Sequence, residues 1–417
     1  MSRNILKVAI FSIGLLCVKQ AQSQTKILFD ATKAESAGNA DWVIDADVRN
    51  IDWYPNALIG TGSFYTASNA QQIPTPAQSG ITAATTEFYW SGGLSAWAVD
   101  CAKKGYTVES LPYNGQITYG NTGNPQDLSN YKVYVIDEPN IKFTSAEKTA
   151  IMQFVQNGGG LFMVADHNVS DRNGDGWDSP HIWNDLLATN SVQPYPFGIY
   201  FDTVDFSQTT TNISATAGDS IIYGPMGTVT KAQWSGGTTM TLNPAQNSSV
   251  KGVIFKTGTT PGNTNAMVAY ARYGAGKVAA LGDSSPTDDG TGNPACTLYP
   301  GYFGDAAGNH QLLIMNMTIW LATTGSASHV GIGDVNGGSA TINVFPNPST
   351  GVINLSTSSQ LTNTSINIYN FAGQLVATQK MSEFASGNNQ SFSLPAGAYI
   401  VKVQSNEGLQ TSRFTVY

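Results

Sequence analysis

Charge is scarce in this sequence. Of its 417 residues only 12% are Asp, Glu, Lys or Arg, and acids outnumber bases 28 to 20. No basic stripe is visible, so a nucleic acid is excluded as the default partner, because that affinity needs clustered Lys and Arg. Long apolar runs are missing as well. The one at residues 8–18 is shorter than the roughly 20 residues of a membrane span. It follows Arg3 and Lys7 and precedes Ala21-Gln22-Ser23, which is the layout of an export signal over residues 1–23. Cysteine is nearly absent. With Cys17 inside that segment, Cys101 and Cys296 remain, either as one disulfide or as two buried thiols. Neither follows a strand at a nucleophile turn, which argues against a cysteine hydrolase. Only four histidines occur.

Glycine is abundant, at 43 residues, and Asn, Thr and Ser are frequent. That composition suits a β-rich exported protein, and the length allows two or three domains. Residues 144–187 organise the rest. Thr144 and Glu147 stand at capping-box spacing, Ile151, Phe154 and Val155 form an apolar face, and Gly158 to Gly160 end the helix. Residues 161–165 are an apolar run of the kind found in a strand covered on both faces. Asp166, His167, Asp171, Asn173, Asp175, Asp178 and His181 follow directly.

Other strands are expected at residues 26–30, 106–111, 132–136 and 277–281, with helices over 92–104, 310–321 and part of 31–48. Residues 51–90 read as a long aromatic loop region, and 191–273 as a β-meander insertion. Strands alternating with helices imply right-handed crossovers, and hence a three-layer α/β domain on a mostly parallel sheet over residues 24–323. Residues 324–341 have the composition of a linker. Residues 342–417 alternate with period two and predict a small β-sandwich.

Two resemblances follow. Val344-Phe345-Pro346-Asn347-Pro348, Ile368-Tyr369-Asn370 with Gly373-Gln374, and Leu394-Pro395-Ala396-Gly397-Ala398-Tyr399 resemble the C-terminal sorting domain of the Bacteroidetes type IX secretion system. This implies export through the periplasm and outer membrane, with that machinery as a partner and a secreted or surface-attached product. Gly158-Gly159-Gly160-Leu161-Phe162, Tyr273-Gly274-Ala275-Gly276-Lys277-Val278 and Gly282-Asp283-Ser284-Ser285 resemble the class I glutamine-amidotransferase-like superfamily. They match its non-amidotransferase branch, because Asp137-Glu138 stands where an amidotransferase carries its cysteine. That resemblance implies a flavodoxin-like sheet without glutamine hydrolysis.

In a parallel sheet Asp30, Asp137, Glu138, Asp166, His167 and Asp283 all reach the carboxyl edge, where ligands of open α/β sheets bind. His167 is the candidate base, oriented by Asp137 or Asp166, and Glu138 the candidate acid. Asp30, Glu35, Asp283, Ser284 and Trp177 are candidates for holding substrate. Asp171, Asn173, Asp175 and Asp178 open like a calcium loop, but Ile182 stands where an EF-hand has its bidentate Glu. Calcium is the first expectation there. Zinc or manganese is the alternative if His181 joins, and so is a loop whose Asx side chains cap their own backbone. The aromatics Trp53, Tyr54, Phe64, Tyr65, Phe88, Tyr89 and Trp90 offer flat faces for sugars or fill the core. Together these features point to a secreted hydrolase of an extracellular polymer, carbohydrate first. A surface adhesion protein and a Ser284–His310 esterase are the alternatives.

Overall fold

The computed structural model describes residues 24–37, 40–45, 76–291, 299–323, 342–347, 349–370 and 374–417. The export signal, the linker, Cys296, Trp53, Tyr54, Phe64 and Tyr65 lie outside the described residues.

The main sheet has nine strands, labelled here in chain order: β1 Lys26–Asp30, β2 Thr107–Leu111, β3 Val133–Asp137, β4 Gly160–Val164, β5 Ile199–Phe201, β6 Met240–Leu242, β7 Lys251–Phe255, β8 Ala266–Tyr273 and β9 Gly276–Leu281. Their spatial order is β2-β1-β3-β4-β9-β8-β6-β5, with β7 also paired to β8. The first five are parallel to one another, and every pairing beyond β9 is antiparallel. The sheet is therefore mixed rather than mostly parallel. The reason is that the expected separate meander supplies β5 to β8 to this sheet. Only its short pairs Phe206–Thr210 with Ala232–Gly237 and Tyr223–Gly224 with Gly227–Thr228 stand outside it.

Helices cover both faces. Val133 and Val135 of β3 point into one apolar cluster with Trp97 of α1 (Ser95–Lys103) and Leu313 and Met317 of the long C-terminal helix His310–Ala322. Tyr134 and Ile136 point into the other, with Ile151 and Phe154 of α2 (Ser145–Gln156) and Ile182 and Leu186 of α3 (Ser179–Thr189). Alternation along a strand buried on both sides produces these two cores. At α2 the expected capping box forms. The Thr144 hydroxyl accepts from the Glu147 amide at 3.3 Å, and the Glu147 carboxylate accepts from the Thr144 amide at 2.7 Å. Gly158 ends the helix region at φ 112°, a conformation open mainly to glycine.

The helix expected within residues 31–48 is not found in the described part of that segment. Ser36–Ala37 and Ala40–Asp41 pair as a small antiparallel hairpin, and Trp42, Val43 and Ile44 are buried after it. Tertiary partners override the local pattern here. The Trp42 amide donates to the Glu35 carbonyl at 3.1 Å, and the Trp42 indole donates to Glu138 at 3.1 Å. Cys101 is a free, fully buried thiol beside Met315.

Residues from 342 onward form two antiparallel sheets. One has three strands, Ile342–Phe345, Val352–Thr357 and Gln390–Ser393. The other has four, Leu361–Asn370, Leu375–Phe384, Gly397–Ser405 and Gly408–Val416. Ile353, Leu355, Ile366, Ile368, Val401, Val403 and Phe414 fill their own core.

Candidate functional site at the carboxyl edge of the sheet

The parallel register brings the ends of β1, β3, β4 and β9 to one edge, so Asp30, Asp137, Glu138, Asp166 and Asp283 do gather there, all almost fully buried. They divide into two groups.

Glu138 is the centre of the larger one. Its φ is 44°, a left-handed conformation that a non-glycine residue keeps only when its surroundings hold it. The Glu138 amide donates to the Val164 carbonyl at 3.1 Å, and its carbonyl accepts from Asn140 at 3.0 Å. Its side chain is fully buried and accepts at both oxygens. Oε2 takes the Trp42 indole at 3.1 Å and the Ser284 hydroxyl at 2.7 Å, and Oε1 takes Arg172 Nε at 3.0 Å. Arg172 Nη2 then reaches Asp166 Oδ2 at 2.6 Å, so one guanidinium bridges the two acids. Burial raises the Asp166 carboxyl well above the usual carboxylate range. The charges of Glu138 and Asp283 add to that, and Arg172 opposes it.

Asp137 stands beside this pair with neither oxygen hydrogen-bonded. The nearby Thr287 hydroxyl gives its proton to the Ser284 carbonyl at 2.6 Å. Burial therefore pushes the Asp137 carboxyl far up, with Glu138, Asp283 and Asp288 adding to the shift. Burial also raises Asp283 to about 7, against the amides of Ser285 and Ser235 that donate to it. Asp288, at about 7 as well, is held by the amides of Gly290 and Tyr299. His167 lies at the rim. Its Nδ1 is 2.7 Å from the Asn168 carbonyl, and its Nε2 is 3.6 Å from Asp166 Oδ2.

The second group is Asp30 with Glu35. Burial and the Asp30 charge raise Glu35 well above its ordinary value. One oxygen of Glu35 and the Tyr134 hydroxyl have no hydrogen-bond partner. This group sits beside β1, and among the described residues no direct hydrogen bond or ion pair joins the Asp30 or Glu35 carboxylates to Glu138, Arg172 or Asp166.

The loop 171–178 spends its oxygens on its own backbone. Asp171 accepts from the amides of Gly174, Asp175 and Gly176, Asn173 from Asp175, and Asp175 from Trp177. Asp178 caps α3, accepting from the His181 amide at 3.0 Å and facing the His181 ring at 2.6 Å. Trp177 stacks under Lys142, 4.0 Å from ring centre to Nζ. Among the described residues no three His, Cys, Asp or Glu side chains converge as a metal-ligand set. The Ser284–His310 dyad is not formed. Ser284 bonds Glu138, while His310 is buried between the Gln233 amide at 3.0 Å and the Gly301 carbonyl at 2.8 Å.

Sequence reasoning missed Arg172, Trp42, Asn140 and Asp288. A signal for Arg172 was present: it is the one base within a run of acids, and buried carboxylates need a cation.

Comparison with known proteins then decides the C-terminal part. Residues 343–417 match the family described as secretion system C-terminal sorting domain. The chain carries a type IX secretion sorting domain. It is thus an exported protein, secreted or held at the cell surface, and no described helix is long and apolar enough to cross a membrane. No family match confirms the amidotransferase-like expectation for residues 24–323. No curated protein matches the chain. Among solved structures, the chain is similar to the mmIFT52 N-terminal domain, at 14% identity over 72% of this chain and 100% of that one, TM-score 0.41. It is similar to a ThuA-like protein from Parabacteroides merdae, at 11% identity over 73% and 93%, TM-score 0.36. An immunoglobulin-like β-sandwich protein from Bacteroides vulgatus aligns at 21% identity over 20% and 97%, TM-score 0.16.

Proposed function

We propose that residues 24–323 form a hydrolase of an extracellular polymer or its fragments, carbohydrate first, on an amidotransferase-like three-layer fold. The observation that carries the reading is the acid pair on Arg172. Glu138 Oε1 and Asp166 Oδ2 share one guanidinium, and burial raises the Asp166 carboxyl well above the usual carboxylate range. A carboxyl raised in this way suits the role of acid, and its neighbour on the same cation is placed to serve as base. Asp166 gives its proton to the leaving oxygen, and Glu138 takes one from the attacking water. His167 at the rim relays protons to solvent, and Asp137 lies beside the pair as a further buried carboxyl.

The test is a screen of the mature protein against polysaccharide and ester libraries, with Asp166→Asn, Glu138→Gln and His167→Ala as controls. The acid and base variants lose at least about a hundredfold in rate. Activity that survives Asp166→Asn removes it from the mechanism. A divalent cation, calcium before zinc or manganese, belongs to the same proposal at the loop 171–178, where Asp171 and Asp175 reach solvent. Elemental analysis and melting with and without EDTA decide it. No bound metal and no shift remove the cation and leave the acid pair.

One observation favours a second reading, a surface binding protein. Glu138 is fully buried and accepts three hydrogen bonds, so the pair is closed off in this structure. Ligand binding by wild type that is unchanged in Glu138→Gln, with no turnover of any substrate, supports that reading instead.

A further inference from the structure

We infer that Asn140 is the positioning residue of this site: it ties the loop after β1, the Glu138 turn and the loop bearing Arg172 into one frame, and so sets where the guanidinium stands between the two acids. The inference rests on reading Glu138 and Asp166 as the reacting pair. Asn140 is completely buried, and each of its polar groups has a partner. Its amide N–H donates to the Lys33 carbonyl at 2.8 Å. Its Nδ2 donates to the carbonyls of Ala34 at 2.9 Å, Ser36 at 3.1 Å and Glu138 at 3.0 Å. On the acceptor side, Oδ1 takes the Arg172 amide at 3.3 Å, and the main-chain oxygen takes Asn173 Nδ2 at 2.8 Å.

Only an amide side chain brings donors and an acceptor to this point. Aspartate offers acceptors alone, and an apolar residue would strand buried carbonyls. Arg172 is therefore fixed at both ends, its backbone by Asn140 and its guanidinium by Glu138 and Asp166. Without the backbone tie, its long side chain regains its rotamers and the bridge loosens. The groups facing Asp166 are Arg172, Glu138, Asp283 and His167, the last also 3.8 Å from Asp205. Of these, Arg172 supplies the permanent positive charge.

The test is urea unfolding of wild type, Asn140→Ala, Asp166→Asn and the double variant from about pH 4.5 to 8. Asp166 binds its proton more tightly folded than unfolded, so its stability contribution falls as pH rises toward the folded pKa. A loosened Arg172 carries that fall about one pH unit further in Asn140→Ala, and Asp166→Asn abolishes the extra fall. A loss that is uniform with pH and additive with Asp166→Asn overturns the positioning role. If Asn140→Ala does not fold, Asn173→Ala, at a partly exposed position, shows the same displacement at smaller size, and its absence overturns the role equally. These curves decide the role of Asn140 whether or not a substrate is found, while the hydrolysis screen decides the reading of the pair.

Discussion

Arg172 does for this site what no acid in it can do for itself. Glu138, Asp166, Asp137, Asp283 and Asp288 are all nearly inaccessible to water, and Arg172 supplies the cation bonded among them. Arg172→Met removes the cation that both buried acids bond. It is expected to lose about 3–5 kcal/mol at neutral pH. The deficit shrinks toward about pH 5, because Asp166, raised by burial, takes up its proton more readily in the folded than in the unfolded chain. Urea unfolding at the two pH values measures both effects. Asp283 titrates in the same direction. Its folded pKa of about 7 lies above the unfolded value, so its contribution is complete at low pH and is lost as pH rises through 7. The melting temperature should fall between about pH 5 and 8, and Asp283→Asn should flatten part of that fall.

Element by element, local chemistry decided boundaries well where capping groups and burial agreed. The Thr144–Glu147 box starts α2 where its spacing says it should, and Thr144→Ala is expected to cost about 1 kcal/mol in chemical denaturation with little change in m. An unchanged midpoint would show that packing of Ile151 and Phe154 alone holds that end. The segment after β1 shows the opposite case. Its apolar spacing reads as helix, yet hydrogen bonds from Asn140 to Ala34 and Ser36 and from Trp42 to Glu138 hold a hairpin. Partners about a hundred residues away in the chain leave no trace in a local window. In the loop 171–178 the Asp and Asn side chains cap their own turns, which the calcium-like spacing suits as well as it suits a cation.

At the scale of the molecule, the sorting domain and the α/β domain have separate cores, so each should fold on its own. A chain ending before residue 343 is therefore expected to keep its melting transition and to stay in the periplasm, as read by cell fractionation. Appearance of the truncated chain outside the cell would remove the sorting role of residues 343–417. The sequence by itself determined export, the β-sandwich at the C-terminus, the strands that end in acids and the edge where those acids meet. These follow from composition, from period and from the rule that parallel strands finish on one side. Tertiary structure alone decided which acids join. Asp30 and Glu35 lie in one group, and Glu138 and Asp166 are bridged by Arg172 in another. It also decided that the residues between α3 and β9 would complete the sheet as antiparallel strands. Both outcomes depend on long-range pairing. A hydrogen bond between residues such as Ser284 and Glu138 is set by how the strands stack, and nothing in either residue's own neighbourhood encodes it.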